Sequence, residues 1–131
     1  MAEQNNSCCS TESSDSCCCS TDTKTLILAC AGGSNVGQVS NRAMIELEKK
    51  GMGNVYCLAG VGADLSGFVE SARAAATILI DGCPVGCGKK AFDKHGIIPT
   101  RYIVVTELGI EKNHNFDNLE AETEEALKKM I

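Results

Sequence analysis

Nine cysteines are the residues of this sequence with the most distinctive chemistry. Two of them lie in the stretch ILIDGCPVGCGKK, where Cys83 and Cys87 are four positions apart with Pro84 between them. Such a pair could bind a metal ion, form a redox couple, or fill space as small hydrophobic side chains, since free cysteine is often buried. The spacing C-x-x-x-C is one residue longer than the usual redox motif, which makes a disulfide the less favoured alternative.

Three passages of the sequence share one pattern, and each contains a cysteine at a similar place. LILACAGGSNVG, VYCLAGVGADLSG and LIDGCPVGCG each read as a strand, a cysteine near its end, a glycine-containing turn and a helix start. Cys30, Cys57 and Cys83 are separated by 27 and 26 residues, the length of one strand-plus-helix unit. In a parallel sheet this spacing brings the thiols to the carboxyl edge, where open α/β sheets bind ligands. With Cys87 in the first turn of the next helix, we expect four thiols at that edge.

Four thiols at one edge permit several chemistries. Thiolates can hold Zn²⁺ tetrahedrally, with Zn–S distances of about 2.3 Å, or an iron–sulfur cluster, which also takes four cysteines. The helix N-termini after Cys30 and Cys83, together with Lys89 or Lys90, would offset the negative charge. If only three thiols bind, an open position on the metal would permit hydrolytic or transfer chemistry. Alternatively, Cys83 and Cys87 would act without metal in a thiol-redox or sulfur-transfer enzyme, so the sequence leaves open whether the protein is an enzyme.

Four polar residues are candidates to support the thiols or to bind an anion: Ser34, Asn35, Asp81 and His114. The turn GGSNVGQ lacks the lysine and hydroxyl of a nucleotide-binding loop. Ser34 or Asn35 would therefore cap the following helix, which we favour, or help to hold a small anion there. Asp81 could orient a lysine, a thiol or a turn amide. His114 follows the last strand and would be a supporting or substitute metal ligand, or a solvated loop histidine.

Residues 1–24 differ in composition from the rest of the chain. Ser, Thr, Asn, Asp and Cys dominate, and no aliphatic residue occurs between Ala2 and Leu26. Such a segment cannot bury enough apolar surface to offset its ordering entropy, so we predict a disordered tail before a domain at residues 25–131. The tail carries five cysteines, Cys8, Cys9, Cys17, Cys18 and Cys19. Their thiols either have no specific role or capture a soft metal or metalloid for the domain, because thiolates select soft ions.

The elements that would position the thiols alternate between strands and helices. The apolar runs TLILAC, NVYCLAG, TILI and RYIVV predict four strands. Helices are predicted over VGQVSNRAMIELEKK, LSGFVESARAAA, roughly residues 86–95, and from about Asn118 onward, with Asp64 and Ser66 capping the second helix. This alternation gives a parallel sheet with right-handed crossovers. We predict a small three-layer α/β domain of Rossmann or flavodoxin-like type with strand order 2-1-3-4.

Charge and composition exclude several classes of partner. A net charge of −5 and a pI near 5.0 give no electrostatic footprint for nucleic acid. The first residues, MAEQNNSCC, lack the regions of a secretory signal, and no apolar run approaches the roughly 18 residues of a membrane span. An odd number of cysteines without such a signal argues against a disulfide framework. We therefore expect a cytoplasmic protein that binds a metal ion and neither nucleic acid nor membranes; no protein partner can be inferred.

Four motifs together resemble one protein family. ACAGGSNVGQVSNRA, CLAGVGADLSGFVESA, IDGCPVGCGKK and VVTELGIEKNH are similar to the bacterial and archaeal DGC-domain proteins, a family named for its Asp-Gly-Cys motif and described as zinc-binding. The resemblance covers roughly residues 25 to 115 and implies metal binding through four matching cysteines, Cys30, Cys57, Cys83 and Cys87. It also implies that the Ser-Asn-x-Gly-Gln turn and residues 107–114 are part of the site. It brings no reaction or substrate, and the cysteine-rich tail lies outside it.

Overall fold

A four-stranded parallel sheet forms the centre of the molecule. The computed structural model describes residues 24–131, and residues 1–23, which carry most of the predicted tail and its five cysteines, lie outside the described residues. The strands are β1 (Thr25–Ala29), β2 (Asn54–Val55), β3 (Ala76–Asp81) and β4 (Arg101–Val104). Their order is β2-β1-β3-β4, and every neighbouring pair is parallel. The predicted sheet and its strand order are therefore confirmed.

Within residues 24–131, five α-helices follow or connect the strands. They are α1 (Asn35–Lys49), α2 (Leu58–Gly62), α3 (Ser66–Ala74), α4 (Cys87–Lys94) and α5 (Leu119–Met130), and a 3-10 turn covers Val105–Leu108. The apolar face predicted for α1 is fully buried, at Val36, Val39, Ala43 and Leu47. Helical periodicity places these four side chains on one stripe, and burying that stripe against the sheet holds the helix in place. Among residues 24–131, no helix is long and apolar enough to cross a bilayer.

Helices cover both faces of the sheet and complete the predicted three layers. Because side chains alternate along a strand, Ile27 and Leu28 point to opposite faces. One face packs against α1 and α5, in a cluster that includes Ile27, Ile78, Ile80, Val39, Leu47, Leu127 and Met130. The other packs against α2, α3 and α4, in a cluster that includes Leu26, Leu28, Leu79, Val61, Val69 and Phe92. Burial on both faces explains why the sequences of β1 and β3 are almost continuously apolar.

The second strand is shorter than predicted. Pairing ends at Val55, Tyr56 adds one further hydrogen bond from its backbone N–H to Ile27, and Cys57 already forms the N-cap of α2. The residues LAGVG turn into a helix rather than extending the strand. Gly60 allows α2 to pack this closely against Phe68 of α3, because a Cβ atom at position 60 would lie 2.5 Å from the Phe68 ring. The close approach of α2 to α3 thus begins at the end of a very short edge strand.

The caps predicted for α3 are wrong. Leu65 is the N-cap and Ser66 the first helical residue, and no side chain caps this end. Asp64 instead adopts a left-handed backbone conformation (φ 64°) and accepts hydrogen bonds from Lys94 (3.0 Å) and His95 (2.9 Å). The Lys94 contact is the main cause that lowers the pKa of the Asp64 carboxyl. Asp64 therefore connects the start of α3 to the end of α4, a contact between segments that local capping rules do not anticipate.

Candidate functional site

All four predicted core thiols follow the carboxyl ends of neighbouring strands. Cys30 comes directly after β1, Cys57 comes two residues after β2, and Cys83 comes two residues after β3. Cys87 is the first residue of α4. Cys30 and Cys83 are partly buried, whereas Cys57 and Cys87 are exposed. We call this end of the sheet, with these four cysteines, the thiol edge.

Three glycines allow backbone segments to touch at the thiol edge. A Cβ atom on Gly82 would lie 2.8 Å from the backbone nitrogen of Gly37 and 2.9 Å from the carbonyl carbon of Val36. A Cβ atom on Gly37 would in turn lie 2.7 Å from the backbone nitrogen of Gly32. Real Cβ atoms do not approach backbone atoms this closely, so only glycine permits the packing. The turn after β3 is thereby seated against the start of α1.

Cys30 has the most constrained thiol of the four. Burial raises its pKa, an effect opposed by hydrogen bonds from the backbone N–H groups of Gly32 and Gly82. The negative charges of Asp81 and of a Cys87 thiolate raise the pKa of Cys30 slightly further. At neutral pH the Cys30 thiol keeps its proton, but two backbone donors already point at its sulfur.

Cys83 has a cationic neighbour that sequence spacing did not suggest. The Lys112 ammonium donates to the Cys83 sulfur over 3.5 Å, although 29 residues separate them along the chain. An ammonium group at this distance can offset the negative charge of a thiolate that is bound to a metal ion. The family resemblance included residues 107–114, but within that segment His114 was the predicted participant. No local pattern singles out Lys112, because its role depends on where the loop after β4 returns to the sheet.

Asn35 holds that loop in place. Its side chain is fully buried; Oδ1 accepts from the backbone N–H of Asn113 (2.6 Å) and Nδ2 donates to the carbonyl of Glu111 (2.8 Å). The backbone N–H of Asn35 also donates to the carbonyl of Asn113 (3.0 Å), and Nδ2 lies 3.2 Å from Oε1 of Glu122 on α5. These contacts occupy the donors that an anion would have used. Asn35 is thus a clamp that presents Lys112 to the thiol edge.

Ser34 acts as the N-cap of α1. Its side-chain oxygen accepts from the backbone N–H of Gly37 over 3.3 Å, in the geometry typical of a capping serine. Gln38 reaches back and donates to the carbonyl of Gly32 over 2.9 Å. Both contacts stabilise the turn that follows β1. Ser34 therefore contributes to the thiol edge by positioning Cys30 and the amides around it.

Asp81 is a buried carboxylate with three hydrogen-bond donors. Oδ1 accepts from the backbone N–H of Gly88 (2.8 Å), and Oδ2 accepts from the N–H of Lys89 (3.0 Å) and the hydroxyl of Tyr102 (2.8 Å). Gly86, the N-cap of α4, has no side chain, so Asp81 supplies the cap from a distance. The sequence left three roles open for Asp81, which were to orient a lysine, a thiol or a turn amide. The contacts with Gly88 and Lys89 correspond to the third role. Burial, followed by contact with Asp81, raises the pKa of Tyr102, which sequence analysis did not select.

His114 lies in the loop after β4, two residues beyond Lys112. It is exposed, and its ring meets Phe116 edge-on, with centroids 6.2 Å apart. Within residues 24–131, no group of three or more His, Cys, Asp or Glu side chains is placed to hold a metal ion. Asp81, whose oxygens are engaged by three donors, is not available as a ligand.

The donor chemistry of the thiol edge nevertheless fits a soft or borderline metal. Thiolates are preferred ligands of zinc, and four of them come from three strand ends. Cys57 and Cys87 are exposed at helix starts, so their side chains can change rotamer at little energetic expense. Cys30 and Cys83 lie in turns fixed by glycine packing and by Asp81. The residues therefore fit a zinc ion, provided that the two exposed thiols turn toward the two partly buried ones.

The thiols are expected to differ in reactivity. Under brief treatment with iodoacetamide near pH 7, the exposed Cys57 and Cys87 should be alkylated about tenfold faster than Cys30, because burial restricts access and raises the pKa of Cys30, leaving less thiolate. Mass spectrometry of the separated peptides would measure the order. In denaturant the three rates should become similar. If Cys30 reacted first in the folded protein, the burial and raised pKa described here would be wrong.

Comparison with known proteins gives two findings. Residues 26–130 match the sequence model of the family described as DGC domain. The chain is also 36% identical over 97 residues to the anaerobic and virulence modulator AnvM of Pseudomonas aeruginosa, an alignment that covers 73% of this chain and 74% of the relative. No solved structure matches the chain.

Proposed function

The chain belongs to the DGC-domain family, and we propose that it is a metal-binding protein whose thiol edge holds Zn²⁺. The observation that carries this proposal is the placement of Cys30, Cys57, Cys83 and Cys87 after three adjacent parallel strands. Residues distant in sequence reach the same edge only through the sheet. Buried structural cysteines would not need this arrangement, and two of the four are exposed.

The surroundings of the thiol edge supply hydrogen-bond donors and positive charge. Backbone N–H groups of Gly32 and Gly82 donate to the sulfur of Cys30, and Lys112 lies beside Cys83. Cys87 begins α4, where the helix macrodipole places partial positive charge. Together these groups oppose the repulsion among thiolates that share one ion. Zinc would supply a cross-link between the three strand ends, which suits a structural or regulatory role as well as a catalytic one.

Ion binding would require movement of the exposed thiols. Cys57 can approach because α2 packs against α4, and the Leu58 side chain lies 3.1 Å from where a Cβ atom on Gly88 would be. Cys57 and Cys87 would rotate toward Cys30 and Cys83, while the backbone that carries them stays in place. Since a ligand that binds the folded state stabilises it, zinc should raise the melting temperature measurably.

Elemental analysis of the freshly isolated full chain tests the proposal. We expect close to one zinc per chain, with no absorbance characteristic of an iron–sulfur cluster. Cys83→Ser and Cys87→Ser should each lower the zinc content to less than about a tenth of the wild-type value, because the three remaining thiols bind zinc far more weakly than four do. The matched control replaces all five tail cysteines, Cys8, Cys9, Cys17, Cys18 and Cys19, with serine and should leave the zinc content unchanged.

Two results would reject zinc at the thiol edge. One is a chain that contains no zinc when it is isolated and binds none when zinc is added. The other is a zinc content that falls with the tail substitutions and persists in Cys83→Ser. The second outcome would favour a carrier in which the tail captures a soft ion. The absorbance spectrum of an iron–sulfur cluster would indicate that the same four cysteines hold iron and sulfide instead of zinc.

A thiol-redox or sulfur-transfer function is the second candidate, favoured by the contact between Lys112 and Cys83. A cationic neighbour is typical of a nucleophilic cysteine. A metal-free chain with full thiol–disulfide or persulfide turnover, lost in Cys83→Ser, would support this candidate over zinc. The name of the relative describes a modulator connected with anaerobic conditions. For this chain we accordingly propose a modulating role in which the state of the thiol edge is the signal.

A further inference from the structure

A groove between α1 and α5 lies on the outer side of these helices, away from the sheet. Its volume is about 350 Å³, and its lining includes Arg42, Ile45 and Glu46 from α1 and Glu120, Glu124 and Leu127 from α5. None of these residues belongs to the thiol edge, and the proposed function does not use them. The groove is therefore a separate feature of the molecule.

The floor of the groove is apolar. Leu127 is buried beneath it, and Ile45, on the α1 side, is 43% exposed. An exposed aliphatic surface framed by charged residues is typical of sites that receive an apolar side chain from a partner. A volume of this size accommodates a few anchoring side chains rather than a whole helix.

The rim of the groove carries a surplus of negative charge. Glu120 and Glu124 are one turn apart on α5, and Glu46 faces them from α1. Of these three, Glu46 pairs with the exposed Lys49 (3.1 Å), and among residues 24–131 neither Glu120 nor Glu124 makes an ion pair. Arg42 is the one basic residue in the lining. With Glu46 paired to Lys49, two carboxylates, Glu120 and Glu124, against one guanidinium leave the groove negative, in a chain whose net charge is −5.

We propose that this groove docks a basic amphipathic helix of a partner protein. Lys or Arg side chains one turn apart on that helix would pair with Glu120 and Glu124, and an aliphatic side chain between them would cover Ile45. The sign of the charge argues against nucleic acid, and it argues against a second copy of this chain, whose identical face would bring like charges together. Arg42 would donate hydrogen bonds to the free carbonyl groups at the C-terminal end of the docked helix. This contact would fix the direction in which the helix binds.

A synthetic peptide tests the proposal with the full chain. The probe is a helical peptide of about 14 residues with two lysines one turn apart flanking a leucine, labelled for fluorescence anisotropy. We expect it to bind and to shift backbone amide signals of α1 and α5 but not those of the thiol edge. The double variant E120Q/E124Q should weaken binding about tenfold, equivalent to about 1.4 kcal/mol.

A matched variant separates the groove from general attraction between opposite charges. E70Q/E125Q removes the same two negative charges outside the groove, from side chains in exposed ion pairs with Arg73 and Lys129, and should leave affinity within about twofold. Equal weakening by both double variants would overturn the proposal, as would no binding or equal binding of a peptide with glutamate in place of both lysines. A wild-type dimer that E120Q/E124Q converts to monomer would also overturn it, since the occupant would then be a second copy.

Discussion

Asp81→Ala is expected to lower the free energy of unfolding by about 4 kcal/mol, because it leaves three donors around a buried position without an acceptor. Two of them are the N–H groups of Gly88 and Lys89 in the first turn of α4, and the third is the hydroxyl of Tyr102. The first turn of α4 carries Cys87, so zinc affinity should fall together with stability. Urea unfolding followed by circular dichroism, with and without a chelator, would measure both effects.

Tyr102→Phe is the matched control for Asp81→Ala. It removes one of the three donors, leaves the carboxylate and both amide contacts in place, and should cost about 1 kcal/mol. Asp81→Asn should fall between the two, because its oxygen can still accept while its amide group meets a donor. A loss below about 1 kcal/mol for Asp81→Ala would mean that water replaces the carboxylate, and the remote cap would not be a major source of stability.

The role of Asp81 has a consequence for how the thiol edge should be understood. Its negative charge opposes thiolate formation, since it contributes to the raised pKa of Cys30. A residue selected to help thiols ionise would carry the opposite charge. Asp81 therefore serves the site by geometry, because it fixes the turn that separates Cys83 from Cys87. Lys112 and the backbone amides supply the compensating positive charge.

The parts of this structure that follow from local pattern were predictable. The apolar face of α1 and the repeated strand–cysteine–glycine passages depend on neighbours within one element, and they correctly predicted the helix and the alternation of strands and helices that gives a parallel sheet. Contacts that join distant segments left no local signal. Asn35 and Glu122 are 87 residues apart, and Asp81 and Tyr102 are 21 apart. Asn35, a candidate for a helix cap or an anion ligand, is instead a clamp, because the loop after β4 returns to α1.

The length of β2 also depends on a tertiary contact that the local sequence does not reveal. NVYCLAG is an apolar run that ends in a glycine, as strands often do, yet only Asn54 and Val55 pair with β1. The contact between Gly60 and Phe68 stabilises an early helical turn. This tertiary contact outweighs the strand propensity of the sequence. As a result Cys57 lies at a helix start, exposed and able to move, rather than inside a strand.

Asn35→Asp should be the most damaging substitution in the described part of the chain near pH 7. The new carboxylate would be buried beside the Glu122 carboxylate, at the position where Nδ2 now lies 3.2 Å from Oε1, and it could no longer donate to the carbonyl of Glu111. Lost hydrogen bonds and repulsion between like charges together should lower the free energy of unfolding by about 5 kcal/mol. Urea unfolding would measure the loss.

Asn35→Ala is the matched control, since it removes the same side-chain hydrogen bonds without adding charge, and it should lower the free energy of unfolding by about 3 kcal/mol.

The stabilities of the two variants should differ in their pH dependence. Burial and the nearby Glu122 would raise the pKa of the new aspartate above its unfolded value, so the folded variant binds a proton more tightly than the unfolded chain does. Its stability relative to Asn35→Ala should therefore improve as the pH falls from about 7.5 to about 5, and decline again as the pH rises. Both variants should release the loop that carries Lys112, which alkylation of Cys83 would report as a changed rate. Equal stabilities for the two variants across this pH range would show that Asn35 does not face the Glu122 carboxylate, and the clamp would then rest on Glu111 and Asn113 alone.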